Sequence, residues 1–159
     1  MIGLLVRLGL AAVWLVSGAI KASDLNQTYL AVQAYDLLPG SVSSVVAGAI
    51  PFLELALGVL LLVGLGTRIT AAVSALVLLA FIGAVAQSWA RGLTIDCGCF
   101  GGGLLVTGEV PSYPMEILRD LGLLVLAAAC VAWPVSRLSL DAYLNPTSLS
   151  SPPIQEQIT

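Results

Sequence analysis

The chain alternates long apolar runs with short polar breaks, and this pattern predicts helices that cross a membrane. Four apolar runs occur, at about residues 2–22, 42–64, 69–90 and 114–134. At 1.5 Å rise per residue, about 20 residues span the hydrocarbon core of a bilayer, which is roughly 30 Å thick. We therefore expect an all-α membrane protein, a bundle of four transmembrane helices over residues 1–137. Residues 138–159 are polar and predict a flexible C-terminal tail.

The first run has two interpretations, a secretory signal peptide and a transmembrane helix. A signal peptide begins with its positive residues and ends at a cleavage site made of small residues. Here Lys21 follows the apolar run, and three more apolar runs come later in the chain. The pattern favours a retained first transmembrane helix.

Residues 23–40, between the first two runs, have the spacing of a short helix at the membrane interface. Ser23 or Asp24 can cap its start, because their side-chain oxygens accept hydrogen bonds from free backbone N–H groups. Pro39-Gly40 ends the segment. We expect this helix to lie at headgroup level. The larger aromatic residues mostly lie near segment ends, as in membrane aromatic belts: Trp14, Trp89, Trp133, Tyr29, Tyr35 and Tyr113.

Composition supports a membrane protein and removes several classes of function. The chain is 58% hydrophobic and only 9% charged, whereas soluble domains carry roughly 25% charged residues. A net charge of -3 without a polybasic stretch gives no sign of nucleic-acid binding. The absence of histidine excludes haem held by histidine and a Ser-His-Asp hydrolase.

The distribution of basic residues predicts the orientation in a bacterial plasma (inner) membrane. Arg7, Arg68 and Arg137 fall on one side of the predicted bundle, and Lys21 and Arg91 fall on the other. Cytoplasmic loops carry the excess of lysine and arginine. Both termini are therefore expected in the cytoplasm, with the loop between the third and fourth helices outside.

That outer loop holds Asp96-Cys97-Gly98-Cys99-Phe100, where two of the three cysteines are separated by a single glycine. A disulfide across one glycine has little torsional freedom, and strained disulfides exchange readily. The glycine lets a partner approach closely, and Asp96 opposes thiolate formation unless it moves protons. This favours thiol–disulfide exchange outside the cytoplasm, where disulfides persist.

Two other interpretations of the cysteine pair remain open. One is a static disulfide that only pins the loop. The other is a two-thiolate clip for a soft metal such as Cu(I). A tetrahedral zinc site needs four ligands and no histidine is available, so we predict no metal site. The third cysteine, Cys130, lies deep in the fourth run, and a buried free cysteine usually behaves as a small hydrophobic residue.

Glu54, Arg119 and Asp120 form a second candidate site, because charges inside membrane segments are costly and usually face a partner in the bundle interior. The long side chain of Arg119 could reach Glu54 from the fourth helix. Two interpretations follow: a salt bridge that fixes helix packing, and a proton or quinone site beneath the cysteine loop.

Taken together, these residues resemble the MauE branch of the DoxX-like membrane proteins over roughly residues 1–135. The resemblance is carried by four features, in order: Lys21-x-x-Asp24, Tyr35-x-Leu-Leu-Pro39, Pro51-x-x-Glu54-x-x-x-Gly58, and Cys97-Gly98-Cys99-Phe100-Gly101 followed by Arg119-Asp120. It implies a four-helix bundle similar to vitamin K epoxide reductase, and a role in redox maturation of exported enzymes beside thioredoxin-like partners. The chain departs from the vitamin K epoxide reductase pattern because it lacks a Cys-x-x-Cys pair and a second outward pair.

Two functional hypotheses follow. In the first, the chain is a membrane thiol–disulfide oxidoreductase in which one of Cys97 and Cys99 attacks a thioredoxin-like extracytoplasmic partner and the other resolves the mixed disulfide. A membrane quinone near Glu54 and Arg119 is the candidate electron acceptor. In the second, the chain is a non-catalytic subunit or assembly factor of a larger membrane redox complex. The supporting residues in the first hypothesis are Asp96, Gly98, Phe100, Glu54, Arg119 and Asp120.

Overall fold

The computed structural model describes residues 2–93 and 113–132, and all regular structure within these two ranges is helical. The helices are α1 (Ile2–Ser23), α2 (Leu25–Ala34), α3 (Gly40–Val63), α4 (Thr67–Ala90) and α5 (Tyr113–Ala132). Their bounds lie within a few residues of the predicted runs, so the all-helical prediction is confirmed for this part of the chain. The cysteine loop and the C-terminal tail lie outside the described residues.

Three of the described helices, α1, α3 and α4, are long and apolar enough to cross a membrane. Helices α3 and α4 have 24 residues each, which gives about 36 Å of helix against a hydrocarbon core of roughly 30 Å. Helix α5 has 20 residues and carries Glu116, Arg119 and Asp120 in its first half, which separates it from the other three. A multi-pass membrane protein is therefore confirmed, and a fourth crossing by α5 stays a prediction.

The predicted short helix between the first two long helices is present as α2. Asp24 caps it: the Asp24 carboxylate accepts a hydrogen bond of 2.9 Å from the backbone N–H of Gln27. The Thr28 hydroxyl donates to the carbonyl of Lys21 at 3.0 Å and so ties the first turn of α2 to the last turn of α1. The location of α2 at a membrane surface stays a prediction.

A left-handed glycine turns the chain from α3 into α4. Gly64 ends α3 with φ 76°, a left-handed conformation that glycine adopts at little cost because it has no Cβ atom. The N–H groups of Gly64 and Leu65 both donate to the carbonyl of Leu60, at 2.8 and 3.1 Å. These bonds satisfy the end of the helix, and Thr67 begins α4 almost at once.

Helices α1 and α3 pack against each other at very short range, because glycines lie in the contact. A Cβ atom on Gly58 would lie 2.7 Å from Cγ of Leu15 and 3.0 Å from its backbone nitrogen. A Cβ atom on Gly18 would lie 3.0 Å from the carbonyl oxygen of Pro51. Small residues of this kind let membrane helices approach closely. The approach brings polar side chains of α1 within reach of α3.

The apolar core lies between α1, α3, α4 and α5. Trp14 belongs to it and is 3% exposed, so its predicted place in an aromatic belt is wrong. Helix α4 packs mainly along α5, and α2 packs on α3. The buried members of the core are Leu10, Ala11, Trp14, Leu57, Leu61, Leu78 and Ala127.

Candidate functional site

A buried ion pair joins the end of α1 to the middle of α3. Nζ of Lys21 lies 2.5 Å from Oε1 of Glu54, and Glu54 is completely buried while Lys21 is 7% exposed. Oγ of Ser17 donates to Oε2 of Glu54 at 2.9 Å and accepts from Nζ of Lys21 at 3.1 Å. Ser17, Lys21 and Glu54 thus form a closed triangle of hydrogen bonds, which we call the Lys21–Glu54 network.

The sequence builds this network from helix periodicity and from the glycine contact. Ser17 and Lys21 are four residues apart and so lie on the same face of α1. Gly18 and Gly58 hold the two backbones close enough for both side chains to reach Glu54. Two buried charges that satisfy each other avoid the cost of an isolated charge in the bundle.

A mainly apolar cavity adjoins the network on the side of α2. It has a volume of about 250 Å³, and we call it the α2 cavity. Lys21 forms part of its wall, and Nζ of Lys21 lies 5.0 Å from the centre of the Phe81 ring in a cation–π contact. The remaining lining residues come from α2, from the α2–α3 connection, and from α3 and α4: Thr28, Ala31, Val32, Tyr35, Leu37, Leu38, Val46, Ile50, Ala80 and Ala84.

Arg119 and Asp120 form a separate pair on α5. Oδ1 of Asp120 accepts from Nε and Nη2 of Arg119 at 3.2 and 3.1 Å. Asp120 is buried and the Arg119 side chain is 34% exposed. The expected ion pair between Glu54 and Arg119 is therefore wrong, since the partner of Glu54 is Lys21. The backbones of α1 and α3 pass closer to each other than α5 passes to α3, so the nearer cation takes the carboxylate.

Sequence reasoning missed Lys21 as a site residue. A lysine at the end of an apolar run is typical of a side chain that reaches the membrane surface, so the position of Lys21 indicated a helix end and not a buried charge. The available signal was the i, i+4 pair of Ser17 and Lys21, together with a single acidic residue in the whole of α3.

The residues of the cysteine motif, Asp96, Cys97, Gly98, Cys99 and Phe100, lie outside the described residues. Their flanks are described. The hydroxyl of Tyr113, at the start of α5, donates to the carbonyl of Leu93, which follows α4. The rings of Trp89 and Tyr113 stack with centroids 6.4 Å apart. The two ends of segment 94–112 are thus fastened to each other.

The same flank is tied to the C-terminal end of α2. Arg91 donates to the carbonyls of Tyr35 and Asp36 at 3.3 Å each and to the Asp36 carboxylate at 3.1 Å. The pair is exposed, and exposed ion pairs contribute little to stability, so its effect is positional. Tyr35 also lines the α2 cavity. The attachment points of the cysteine segment therefore adjoin a wall of that cavity.

Cys130 lies near the other end of α5 and is a buried free thiol. It is 17 residues beyond Tyr113, which gives about 26 Å along the helix. Its burial agrees with the prediction that Cys130 packs as a small hydrophobic residue. Within residues 2–93 and 113–132, no group of three or more histidine, cysteine, aspartate or glutamate side chains could hold a metal ion.

Comparison with known proteins identifies the family. The model of the family described as methylamine utilisation protein MauE matches residues 1–133. The methylamine utilization protein MauE of Paracoccus denitrificans is 36% identical over 124 residues, covering 77% of this chain and 64% of that protein. The protein of the same name from Methylophilus methylotrophus is 33% identical over 144 residues, covering 88% of this chain and 73% of the Methylophilus protein.

The chain thus spans somewhat less than two thirds of the Paracoccus relative. No solved structure matches it significantly. Both the family model and the two relatives agree with the MauE resemblance carried by the sequence motifs, and the match covers α1 to α5. The chain therefore belongs to the MauE family.

Proposed function

We propose that this protein is a membrane thiol–disulfide oxidoreductase for redox maturation, which exchanges a Cys97–Cys99 disulfide with a thioredoxin-like extracytoplasmic partner. The observation that carries the proposal is the fastening of Leu93 to Tyr113 beside the end of α2. It gives the Cys-Gly-Cys segment a fixed base on a membrane bundle. In this proposal Asp96 moves protons to and from the cysteines, and Gly98 gives the backbone the freedom that close approach of a partner needs. Phe100 provides an apolar contact beside the pair.

The proposed exchange is balanced without an added reductant or oxidant. A partner thiolate attacks one sulfur of the Cys97–Cys99 disulfide, a mixed disulfide forms, and the other sulfur leaves as a thiolate that takes up the partner's proton. The second thiol of the partner then displaces the sulfur of this protein. The partner gains a disulfide, and Cys97 and Cys99 become a dithiol.

Renewal of the disulfide needs a two-electron acceptor, and a membrane quinone is the candidate. The cavity beside Arg119 and Asp120 is about 20 Å³, which suits one water molecule and not a ring. The α2 cavity, of about 250 Å³, is close to the size of small-molecule sites. Its apolar lining suits a quinone ring, and the Lys21 ammonium and the Phe81 and Tyr35 rings would hold it. When bound, a quinone supplies the acceptor for two electrons and two protons.

The proposal includes the membrane arrangement. Helix α5 would make the fourth crossing: it packs along α4 and against α1, and its charged half keeps Asp120 buried inside the bundle. Helix α2 would lie at the outer surface. Both termini would face the cytoplasm of a bacterial inner membrane, and the cysteines would face outward.

The names of the two relatives suggest a process for this exchange. Both are called methylamine utilization proteins, and we extend that process to this chain as part of the proposal. The partner would be a thioredoxin-like protein or an exported protein of the same process that carries disulfides.

One observation favours the second candidate, a non-catalytic subunit or assembly factor. Lys21, Glu54 and Ser17 satisfy one another, and Arg119 binds Asp120. Charged side chains that already satisfy one another can serve to hold the helices together without any reaction. If the protein is such a subunit, the Cys97–Cys99 pair would be a static disulfide that pins its loop.

Trapping of a mixed disulfide tests the proposal. The probe is a thioredoxin that keeps one of its two active-site cysteines, activated as a mixed disulfide with a small aromatic thiol, and the readout is non-reducing electrophoresis of the purified protein. We expect an adduct with one of the two single variants Cys97→Ser and Cys99→Ser, because the remaining thiol displaces the small thiol and no second active-site thiol is left in either protein to resolve the mixed disulfide. The double variant should give none. Cys130→Ser, added to the reactive single variant, is the matched control and should leave the adduct in place, because Cys130 is buried. An adduct that this added change removes, or no adduct with either single variant, would contradict the proposal.

A further inference from the structure

A small cavity lies between α1, α4 and α5, apart from the α2 cavity. Its volume is about 20 Å³, and we call it the inner cavity. Trp14 and Ser17 of α1 and Asp120 of α5 supply polar groups to its wall. Its complete lining is Val13, Trp14, Ser17, Leu78, Phe81, Arg119, Asp120 and Leu123.

Two polar atoms of this wall are buried without a hydrogen-bond partner among the described residues. They are Nε1 of Trp14 and Oδ2 of Asp120, and each residue is 3% exposed. An indole N–H can only donate, and a carboxylate oxygen accepts. Leaving such groups unsatisfied destabilises the folded protein, and a charged group more than a neutral one. The indole N–H needs an acceptor and the carboxylate oxygen needs a donor, and both residues line the same cavity.

The size of the inner cavity identifies that group. A buried water needs about 10–15 Å³ of space for its centre and two to four polar partners. The inner cavity meets the first requirement for one water and is too small for an organic ligand. Trp14 and Asp120 meet the second. We infer that one ordered water occupies the inner cavity, accepting from Nε1 of Trp14 and donating to Oδ2 of Asp120.

This water site touches side chains from two parts of the protein. Ser17 lines the inner cavity and also donates to Glu54. The water therefore lies between the Arg119–Asp120 pair of α5 and the Lys21–Glu54 network of α1 and α3. Connected carboxylates in membrane bundles often form proton relays. The inference is independent of disulfide exchange at Cys97 and Cys99.

The test is magnetisation transfer between water and indole protons in the full-length protein, labelled with ¹⁵N-tryptophan and held in detergent micelles. The chain has three tryptophans, and Trp14→Phe assigns the signal of Trp14. We expect a cross-peak from water to the Trp14 indole proton that changes sign in the rotating frame, which marks direct contact instead of exchange. Trp89 is 53% exposed and serves as the internal reference for short-lived contacts.

Asp120→Leu should abolish this cross-peak, because it removes the acceptor and fills the space. Asp120→Asn should retain the cross-peak, because its amide oxygen can still accept from Arg119 and its NH2 group, in place of Oδ2, can donate to the water. A wild-type protein without the Trp14 cross-peak would overturn the inference, and so would a cross-peak that Asp120→Leu leaves unchanged. If Trp14→Phe does not fold, Trp89→Phe and Trp133→Phe assign the Trp14 signal by elimination.

Discussion

Glu54→Leu alone should remove a large part of the protein's stability, whereas Glu54→Leu combined with Lys21→Met should restore most of it. The single variant leaves the Lys21 cation buried without its counter-charge. Breaking a buried pair in this way costs about 3–5 kcal/mol, whereas replacing both members by apolar residues is often neutral or stabilising. Since whole domains are stable by about 5–15 kcal/mol, the single change should be severe.

The measurement is the free energy of unfolding of the four proteins of this double-mutant cycle, in one detergent. Asp36→Asn is the control, because it removes the exposed ion pair with Arg91, which should cost at most about 1 kcal/mol. Asp36 has φ 48°, a conformation that asparagine adopts readily, so the control adds little backbone strain. A double variant as unstable as Glu54→Leu would contradict the prediction.

The same double variant separates the two interpretations of the buried charges. If the Lys21–Glu54 network only fixes helix packing, the folded double variant should oxidise a partner at the wild-type rate. If Lys21 holds an electron acceptor in the α2 cavity, the double variant should fold and lose partner oxidation.

Cys97→Ser and Cys99→Ser should each reduce oxidation of a partner to the level of membranes that lack the protein. In the proposed exchange both sulfurs belong to one disulfide, so either change would remove the reactive bond completely. Groups that act as a unit are strongly non-additive, and the double variant should therefore be no worse than either single variant. The measurement is the rate at which membranes supplied with a quinone oxidise reduced thioredoxin.

Cys130→Ser is the control for this series and should keep the wild-type rate, because Cys130 is buried near the opposite end of α5 from Tyr113. Unchanged oxidation in both single cysteine variants would contradict the proposed exchange. Stable association of those variants with a membrane redox complex would then favour the subunit hypothesis.

The helices could be predicted from the sequence because their signals are local. Apolar runs fix the long helices, and Asp24 marks the start of α2 through its side-chain oxygen. Gly64 marks the turn after α3 because a left-handed conformation suits glycine. The family could also be identified, since the four motifs that carry the resemblance occur along this chain in the order expected for the family.

The partners inside the bundle could not be predicted, because they depend on helix register and separation. Glu54 pairs with Lys21 because Gly18 and Gly58 bring α1 against α3, and this contact is not visible in the spacing of either helix alone. Arg119 bends back to its neighbour Asp120, although adjacent residues point about 100° apart on a helix.

Trp14 is a second residue whose position could not be predicted from the sequence. Its residue type is typical of a membrane interface, yet it lies in the core beside Leu78 and Ala127. The sequence gives no signal for the inner cavity, because that cavity arises where three helices meet.

The reduction potential of the Cys97–Cys99 pair tests the proposed function most directly. It is measured in membranes by thiol alkylation after equilibration with glutathione or dithiothreitol buffers. We predict a value above about -250 mV, as for a labile disulfide that exchanges with partners. A value below about -300 mV, typical of structural disulfides, or two free thiols under every condition, would contradict the account.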